Sequence, residues 1–481
     1  MPSSINTPSR LGRYERPSDV VILGSGIIGL CSALEIVKLS PTSKVVLVEA
    51  SPGKLIAGGA SSYAGGFIAC GPDWHDPPSR DLARLSWECH SALAAELDGP
   101  DAYGWRESGA VGLAVGGHGE SRSKYRTLPG AAAEDQQDAA VDWLEGDREQ
   151  LSTEGGVAQI DPALFCQHLF RHLETAYSTR FRIVFGRATR IEQPAALAAA
   201  ASKVLPQSIG LGKKTLHIHV HEGNHEDKIS FDRLLVACGP WSAAVCETLD
   251  LPPIPLTNLP GHSLLIRPAP SSSSDRNPSS SPVDLPPEAV FAGIDGSVGG
   301  VHASTSGLAR GLTKEEKREG FTRSPEFFVR RKKAGEDREL VYVAGENSIP
   351  ETPTPRGGEQ QQPLLPNRLP STVDGVKDLL DEACVGRLKR AAGAVSPLLK
   401  EENGAVIEKQ QFCYRPISSD RQPIVGALRS PDMFVATGHG PWGICLSAGT
   451  GRVVAEMMLG RPLSADISGL SVERFTPSAR L

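Results

Sequence analysis

The sequence predicts an α/β fold that begins with a parallel, nucleotide-binding sheet and continues into further domains. Residues 20–49 contain an apolar strand, the turn GSGIIG, an amphipathic helix, a second strand and an acid. This order is typical of a Rossmann-like βαβ unit that binds a dinucleotide. The chain has 481 residues. That length exceeds one ordinary hydrophobic core, so two or three domains are expected.

The glycines of the first turn have different physical tasks. Gly24 allows the tight turn, Gly26 lets the backbone approach a pyrophosphate, and Gly29 lets the helix pack close to the sheet. The helix N-terminus would present N–H groups and its positive dipole end to the phosphates. Glu49 ends the second strand, where its carboxylate can accept both ribose hydroxyls. The predicted contacts in this segment are Gly24, Ser25, Gly26, Ile28, Gly29 and Glu49.

The composition argues against several classes of protein. Hydrophobic residues make up 40% of the chain and charged residues 22%, with a net charge of −6. This balance is typical of a globular protein and does not favour binding to nucleic acid or to an anionic membrane. The longest apolar runs have the length of strands, so no membrane span is expected. Nine cysteines lack metal-ligand spacing and no secretory signal precedes the first strand. We therefore expect reduced thiols, an intracellular protein and no metal.

Some segments are predicted to lie outside the folded cores. Residues 1–18 are polar and are predicted to be disordered. The low-complexity stretches 268–287 and 350–372 cannot bury enough apolar surface to offset the entropy of ordering, so they are predicted to be mobile surface insertions. The C-terminal tripeptide Ala-Arg-Leu, residues 479–481, is similar to the peroxisomal address Ser-Lys-Leu, although an arbitrary tail is the alternative. A peroxisomal or cytoplasmic location is expected.

Three further segments favour FAD over NAD as the dinucleotide. The small residues of ASSYAGGFIA, residues 60–69, would let the large isoalloxazine ring approach the backbone. The stretch LLVACGPWS, residues 234–242, ends a buried strand where the chain would pass the cofactor. Residues 433–460 again show a strand, a glycine-rich turn and a helix from about 444 to 458. The positive end of that helix would stabilise the anionic reduced flavin. The predicted contacts here are Ser61, Ser62, Gly66, Phe67, Ala188, Ala237, Gly239, Trp241, Gly438, Gly440, Gly443 and Ile444.

These motifs together resemble a known family. GSGIIG with Glu49, SSYAGGF, VACGPWS, CYRPISSDRQPIVG and ATGHGPWGICLSAGTG are similar to the DAO-type FAD-dependent oxidoreductases, which include D-amino-acid, glycine and sarcosine oxidases. Fungal oxidoreductases of that group are the nearest match, whereas the region between the motifs matches poorly. The resemblance implies a discontinuous, Rossmann-like FAD-binding domain and a substrate domain with a large mixed or antiparallel sheet. The implied FAD domain comprises residues 19–80, 155–250 and 405–475, and the implied substrate domain comprises 81–154 and 251–404.

The resemblance also implies roles for three residues near the C-terminus. Arg415 stands where glycine and D-amino-acid oxidases hold the substrate carboxylate, which the planar guanidinium can bind bidentately. A structural ion pair, for instance with Asp420, is the alternative. Cys413 stands where sarcosine oxidases attach the flavin through a thioether, and a small buried apolar residue is the alternative. His439 is a candidate for proton transfer beside the ring, and a hydrogen-bonded structural histidine is the alternative.

The expected activity is oxidation of the carbon–nitrogen bond of a small amino acid or secondary amine, by hydride transfer to flavin N5 with O2 as acceptor. The expected partners are therefore a small-molecule amine and O2. Three alternatives stay open at this point. They are an NAD-dependent dehydrogenase, an FAD dehydrogenase with another electron acceptor, and a flavin-binding interaction or trafficking protein with little turnover.

Overall fold

The structure is a computed structural model, and it describes residues 18–115, 143–152, 156–194, 213–270, 285–294, 324–331, 339–347, 369–428 and 430–475. Residues 1–17, most of both predicted insertions and the C-terminal tripeptide lie outside the described residues. The predictions for those segments, and for location, stay predictions. No helix in the described ranges combines the length and the apolar character that crossing a bilayer requires.

The elements follow in chain order. The helices are α1 Ile27–Leu39, α2 Arg80–Glu96, α3 Gly99–Ala102, α4 Pro162–Ala176, α5 Ser242–Thr248, α6 Glu382–Val395 and α7 Gly443–Leu459. The strands are β1 Asp19–Leu23, β2 Lys44–Glu49, β3 Phe67–Ala69, β4 Arg106–Glu107, β5 Gly109–Val115, β6 Asp147–Ser152, β7 Val157–Gln159, β8 Phe181–Glu192, β9 Lys214–Val220, β10 His225–Phe231, β11 Arg233–Val236, β12 Leu256–Arg267, β13 Glu288–Ile294, β14 Glu326–Arg330, β15 Leu340–Glu346, β16 Val406–Ser418, β17 Ile424–Ala427 and β18 Met433–Thr437.

The first layer is built on a sheet that has eight strands within the described residues, in the order β10-β9-β8-β2-β1-β11-β18-β17. The five strands from β8 to β18 run parallel, and the flanking strands are antiparallel. The apolar run of β1 is buried, as expected for a parallel sheet that is covered on both faces. Helices α1 and α7 pack closely at Gly451. This contact requires a glycine, because a Cβ there would lie 2.6 Å from the carbonyl carbon of Cys31.

The second layer is a mixed sheet of seven strands in the described part of the chain, in the order β16-β12-β15-β14-β13-β5-β6. Only the β13–β5 pair is parallel there. One face packs against α6, where Phe327 and Val343 join Leu388 in a common apolar cluster. The other face, which includes Phe328 and Tyr342, turns toward the first layer. The predicted α/β class with a large mixed sheet is confirmed.

The predicted domain limits need correction at two places. Strand β16 was assigned to the FAD domain, but it pairs with β12 along its length in the second sheet. Helix α2 was assigned to the substrate domain, but its Ser86 hydroxyl donates to the carbonyl oxygen of Cys445 at 2.6 Å, in α7. Backbone contact at Gly449 explains this packing, since a Cβ there would lie 2.8 Å from the Leu82 carbonyl oxygen. Parts of both predicted insertions are folded, because Ala269, Leu285 and residues 369–372 pack against the rest of the described chain.

Candidate cofactor and substrate site

A cavity of about 620 Å³ lies between the two sheets. Strands β1, β11 and β18 are parallel neighbours, so the turns that follow them meet at one edge of the first sheet. The loop after β2 and the strand β16 close the cavity from the other side. The predicted site residues that line it are Gly24, Gly26, Ile28, Glu49, Ser61, Gly66, Phe67, Ala188, Ala237, Gly239, Trp241, Cys413, Arg415, His439, Gly440, Gly443 and Ile444.

Four predicted contact residues do not line this cavity: Ser25, Gly29, Ser62 and Gly438. Ser25 instead donates its N–H and its hydroxyl to Glu49 Oε2, at 2.8 and 2.6 Å. Gly29 supports the turn, because a Cβ there would collide with the carbonyl oxygen of Gly24. Gly438 has φ +75° at the end of β18 and supports the next turn. The local sequence does not tell which residues of a turn line the cavity and which residues support the turn.

The phosphate end of the cavity is shaped by Gly24 and Gly26. Gly24 has φ +101°, and a Cβ there would lie 2.5 Å from the Ala237 carbonyl oxygen, so the fold itself requires this glycine. Gly26 has φ −63°, and the nearest atom to a Cβ there is the Ser61 hydroxyl oxygen at 3.4 Å. Its open face lies beside the N-terminus of α1, where Ile27 donates its N–H to Ser61 Oγ at 3.0 Å. A pyrophosphate fits this open, donor-rich surface.

Glu49 lies where the sequence predicts a contact with the ribose. Its carboxylate lies on the cavity wall and accepts hydrogen bonds from Ser25 and, at 3.0 Å, from the N–H of Ser51. These donors fix the carboxylate before any ligand arrives. Its remaining lone pairs can accept ribose hydroxyls, as the sequence predicted.

A segment that the sequence analysis missed covers the same end. Residues 369–373 line the cavity, although 369–372 belong to a predicted surface insertion. Trp241 donates its indole N–H to the Pro370 carbonyl oxygen at 2.8 Å, and Arg187 donates to that of Ser371 at 3.0 Å. Asp374 accepts from the N–H of Gly53 at 3.0 Å. The substrate side of the molecule therefore supplies one wall of the dinucleotide site.

The flavin end is open above two glycine turns. Gly239 has φ +53°, and a Cβ there would point into open space; Gly440 has φ +55°, and the nearest atoms to a Cβ there belong to the Ile417 side chain, 3.6 Å away. Helix α7 begins at Gly443 on the cavity wall, and no side chain caps its first turn. Its positive end therefore faces the cavity. Both glycine turns leave room for a large planar ring, so the residues fit FAD.

Arg415 lies at the end of the cavity that the second sheet forms. Its guanidinium donates to Asn347 Oδ1 and lies over the Cα of Gly261 on the neighbouring strand. Its Nε is buried and has no hydrogen-bond partner in the part of the chain that the structure describes. The proposed structural partner Asp420 pairs with Arg474 at 2.7 Å instead. A guanidinium that is half buried and paired with no described carboxylate is able to bind an anion.

A substitution at Gly261 would displace the Arg415 guanidinium while the arginine itself stays unchanged. A Cβ at Gly261 would lie 3.0 Å from Arg415 Cζ and closer to one terminal nitrogen, so Gly261→Ala must displace the guanidinium. Because the obstacle is the end of a flexible side chain, the fold should survive. We expect the dissociation constant of a carboxylate ligand to rise about tenfold, on the order of one charge-assisted hydrogen bond. Isothermal titration calorimetry measures it.

The matched control is Gly426→Ala on β17. Its Cβ would make only ordinary contacts, at 3.6 Å or more, with Ser471. Carboxylate affinity should stay within twofold of the wild type. Equal weakening in both variants would show that the Gly261 effect is not local to Arg415.

His439 and Cys413 line the cavity, but the ionisation of each side chain argues against the reactive role predicted for it. His439 hydrogen-bonds Thr450 Oγ1 at 3.1 Å, and burial lowers the pKa of its imidazole to about 3. The ring is therefore neutral at physiological pH, which favours the structural alternative over proton transfer. Burial raises the pKa of the Cys413 thiol, only partly opposed by the nearby Arg415 guanidinium. Little thiolate is present to react with a flavin.

Several lining residues were missed because their position depends on long-range pairing. They are Gly261, His262, Ser263, Phe291, Phe328, Tyr342 and residues 369–373. The apolar run FFV, residues 327–329, does not tell which of its two phenylalanines faces a ligand.

Known proteins are similar to this chain in sequence and in fold. A family model described as "FAD dependent oxidoreductase" (DAO) matches residues 19–457. The Schizosaccharomyces pombe protein named "Putative oxidoreductase C1F5.03c" is 24% identical over 470 residues, which cover 95% of this chain and 98% of that protein. Glycine oxidase from Geobacillus kaustophilus superposes with a TM-score of 0.60 at 19% identity, covering 95% of this chain and 99% of that one. L-Amino acid deaminase from Proteus myxofaciens in complex with anthranilate also gives a TM-score of 0.60, at 14% identity, covering 95% and 94%. The family match extends over most of the chain, and the solved structures share its fold.

Proposed function

The chain belongs to the DAO family of FAD-dependent oxidoreductases, and from this premise we propose that it oxidises the carbon–nitrogen bond of an amino acid or secondary amine, with O2 as the electron acceptor. The observation that carries the proposal is the guanidinium of Arg415. It lies in the cavity that fits FAD, and no described carboxylate pairs with it. A substrate carboxylate bound there brings its α-carbon into the same cavity as the flavin ring.

The chemistry divides between the cofactor and the protein. The chemistry that FAD would supply when bound is acceptance of a hydride from the α-carbon of the substrate amine, which would become an imine; O2 would then take up the two electrons and two protons as hydrogen peroxide. Arg415, which donates to Asn347 Oδ1, would hold the carboxylate and so fix the direction of the C–H bond. The N-terminus of α7 supplies positive potential where negative charge develops. Hydrolysis of the released imine needs only water.

The test is a panel of amino acids and amines added anaerobically to the FAD-loaded protein. A substrate should bleach the flavin absorbance, and admission of air should restore it with one hydrogen peroxide per turnover. Bleaching without peroxide in air would assign the activity to a dehydrogenase with another acceptor. A flavin that no member of the panel bleaches would favour a binding protein with little turnover.

We further propose that FAD is held without a covalent bond. Cys413 is buried, and burial keeps its thiol protonated. After acid precipitation, we expect all flavin absorbance in the supernatant and none in the protein pellet. Cys413→Ser should release the same fraction. Yellow colour that stays with the wild-type pellet and is lost in Cys413→Ser would establish the thioether instead.

A further inference from the structure

The substrate end of the cavity carries an aromatic surface beside Arg415. Phe291, Phe328 and Tyr342 come from three adjacent strands of the second sheet, Phe67 comes from β3, and Trp442 comes from the turn before α7. We call these five residues the aromatic wall. Phe67 and Trp442 keep part of their surface accessible although they pack against a buried cluster, and both line the cavity. The wall therefore presents apolar surface to whatever enters beside the guanidinium.

The rings of the wall hold one another in place. Phe67 and Phe328 stack with centroids 5.5 Å apart and planes 10° apart, and Phe328 stacks on Tyr342 at 5.9 Å and 11°. Phe291 meets Phe67 edge to face at 5.3 Å. The backbone of Gly65 lies directly on this stack, since a Cβ there would lie 3.0 Å from Tyr342 Cε1 and would collide with the Phe328 ring. The surface is thus preformed, so a ligand loses little free energy in ordering it.

Two polar groups on the face that carries the wall, those of Tyr342 and Glu326, already have partners within the protein. The Tyr342 hydroxyl donates to the Tyr63 carbonyl oxygen at 3.0 Å, and burial raises its pKa to about 12, so it stays neutral. Glu326 lies on the same face and has an interaction of its own within the protein. A charged or strongly polar side chain placed against the wall would lose its water without gaining a partner. A large apolar side chain would gain by burial.

We propose that the substrate is an amino acid with an aromatic or large branched apolar side chain, which lies against the aromatic wall while Arg415 holds its carboxylate. This inference rests on the proposed amino-acid oxidation. It replaces the small substrate that the sequence predicted with a larger, apolar one.

Binding can be measured without turnover. 3-Phenylpropanoate and propanoate carry the carboxylate but no amino group, so neither can be oxidised. On the FAD-loaded protein, we expect 3-phenylpropanoate to bind at least about 30-fold more tightly than propanoate in calorimetry, as burial of a phenyl ring implies. Phe328→Leu should reduce that ratio at least fivefold while propanoate affinity stays unchanged. Phe291→Leu is a second variant with the same expectation, should the first not fold.

Phe327 offers a matched control, because it is the neighbouring residue on β14 but packs against α6 on the opposite face. Phe327→Leu should lower the melting temperature as Phe328→Leu does, yet leave the affinity ratio unchanged. A ratio that falls equally in both variants would show that the effect is a loss of stability, and would overturn the assignment of the wall as the specificity surface.

Rates of flavin reduction distinguish failure of this inference from failure of the proposed amino-acid oxidation. Phenylalanine and leucine, each as both enantiomers, should reduce the flavin with a second-order rate constant at least about 30-fold above those of glycine and alanine. Reduction by glycine at the same rate as phenylalanine would overturn the inference and leave the proposed function standing. A preference for lysine that disappears in Glu326→Gln would also overturn the inference and leave the proposed function standing. A flavin that no amino acid reduces would overturn both.

Discussion

Replacement of Arg415 by alanine should abolish substrate-dependent flavin reduction while FAD stays bound. The guanidinium would supply two charge-assisted hydrogen bonds to a carboxylate, each worth about 1.5–3 kcal/mol, so the second-order rate constant for reduction should fall at least about a hundredfold. Stopped-flow absorbance under anaerobic conditions measures it. The ratio of flavin to protein absorbance should stay at the wild-type value, because the phosphate and ribose positions lie at the other end of the cavity.

Two variants separate binding from structural support. Arg415→Lys keeps the charge but not the planar fork, so it should recover only part of the rate. Arg84→Ala removes an arginine exposed on α2, paired with Asp81 and Glu88, and should leave reduction unchanged. If Arg415→Ala lost FAD and flavin reduction together, or melted many degrees lower, the arginine would have a structural role and the proposed function would lose its main support.

The parts of the site that the sequence predicted are encoded locally. The strand, the glycine turn and the helix N-terminus lie within a few residues of each other at Gly26 and again at Gly443. Each turn therefore predicts its own geometry. The two turns come together because β1, β11 and β18 are parallel neighbours. Neither motif predicts this strand order; the family resemblance does.

Strand β12 shows where local prediction failed. Pro260 and Gly261 usually interrupt strands, so the local sequence favours a strand only in the residues that follow them. In the structure β12 begins at Leu256 and, among the described residues, 256–261 pair with β16 alone, since pairing with β15 starts at His262. This part of β12 therefore behaves as an edge strand, which tolerates proline. Gly261 is needed there because Arg415 lies over it.

The aromatic wall could not be predicted for a related reason. Alternation along a strand tells which residues share a face, but not which face meets the ligand. Phe327 and Phe328 are both buried and differ only in whether α6 or the cavity lies opposite. That choice is made by packing of the whole sheet against α6, more than fifty residues further along the chain.

The three glycines of the first turn should separate cofactor binding from folding. Gly26→Val introduces no backbone strain, since φ is −63°, and meets only the Ser61 hydroxyl at 3.4 Å, but its side chain would occupy the pyrophosphate position. We expect FAD content below about a tenth of the wild type, since even a steric cost of about 1.4 kcal/mol lowers affinity tenfold and loss of the phosphate contacts adds to it. The melting temperature should match that of wild-type protein stripped of FAD.

Gly24→Val and Gly29→Val should instead lose the fold. Gly24 has φ +101°, where a β-branched residue is strongly disfavoured, and its Cβ would lie 2.5 Å from the Ala237 carbonyl oxygen. A Cβ at Gly29 would collide with the Gly24 carbonyl oxygen, in the same turn. Circular dichroism and melting of the stripped proteins compare the three variants. If Gly26→Val retained normal FAD, or if it unfolded as the other two should, the open face of Gly26 would not be where the cofactor's phosphates bind.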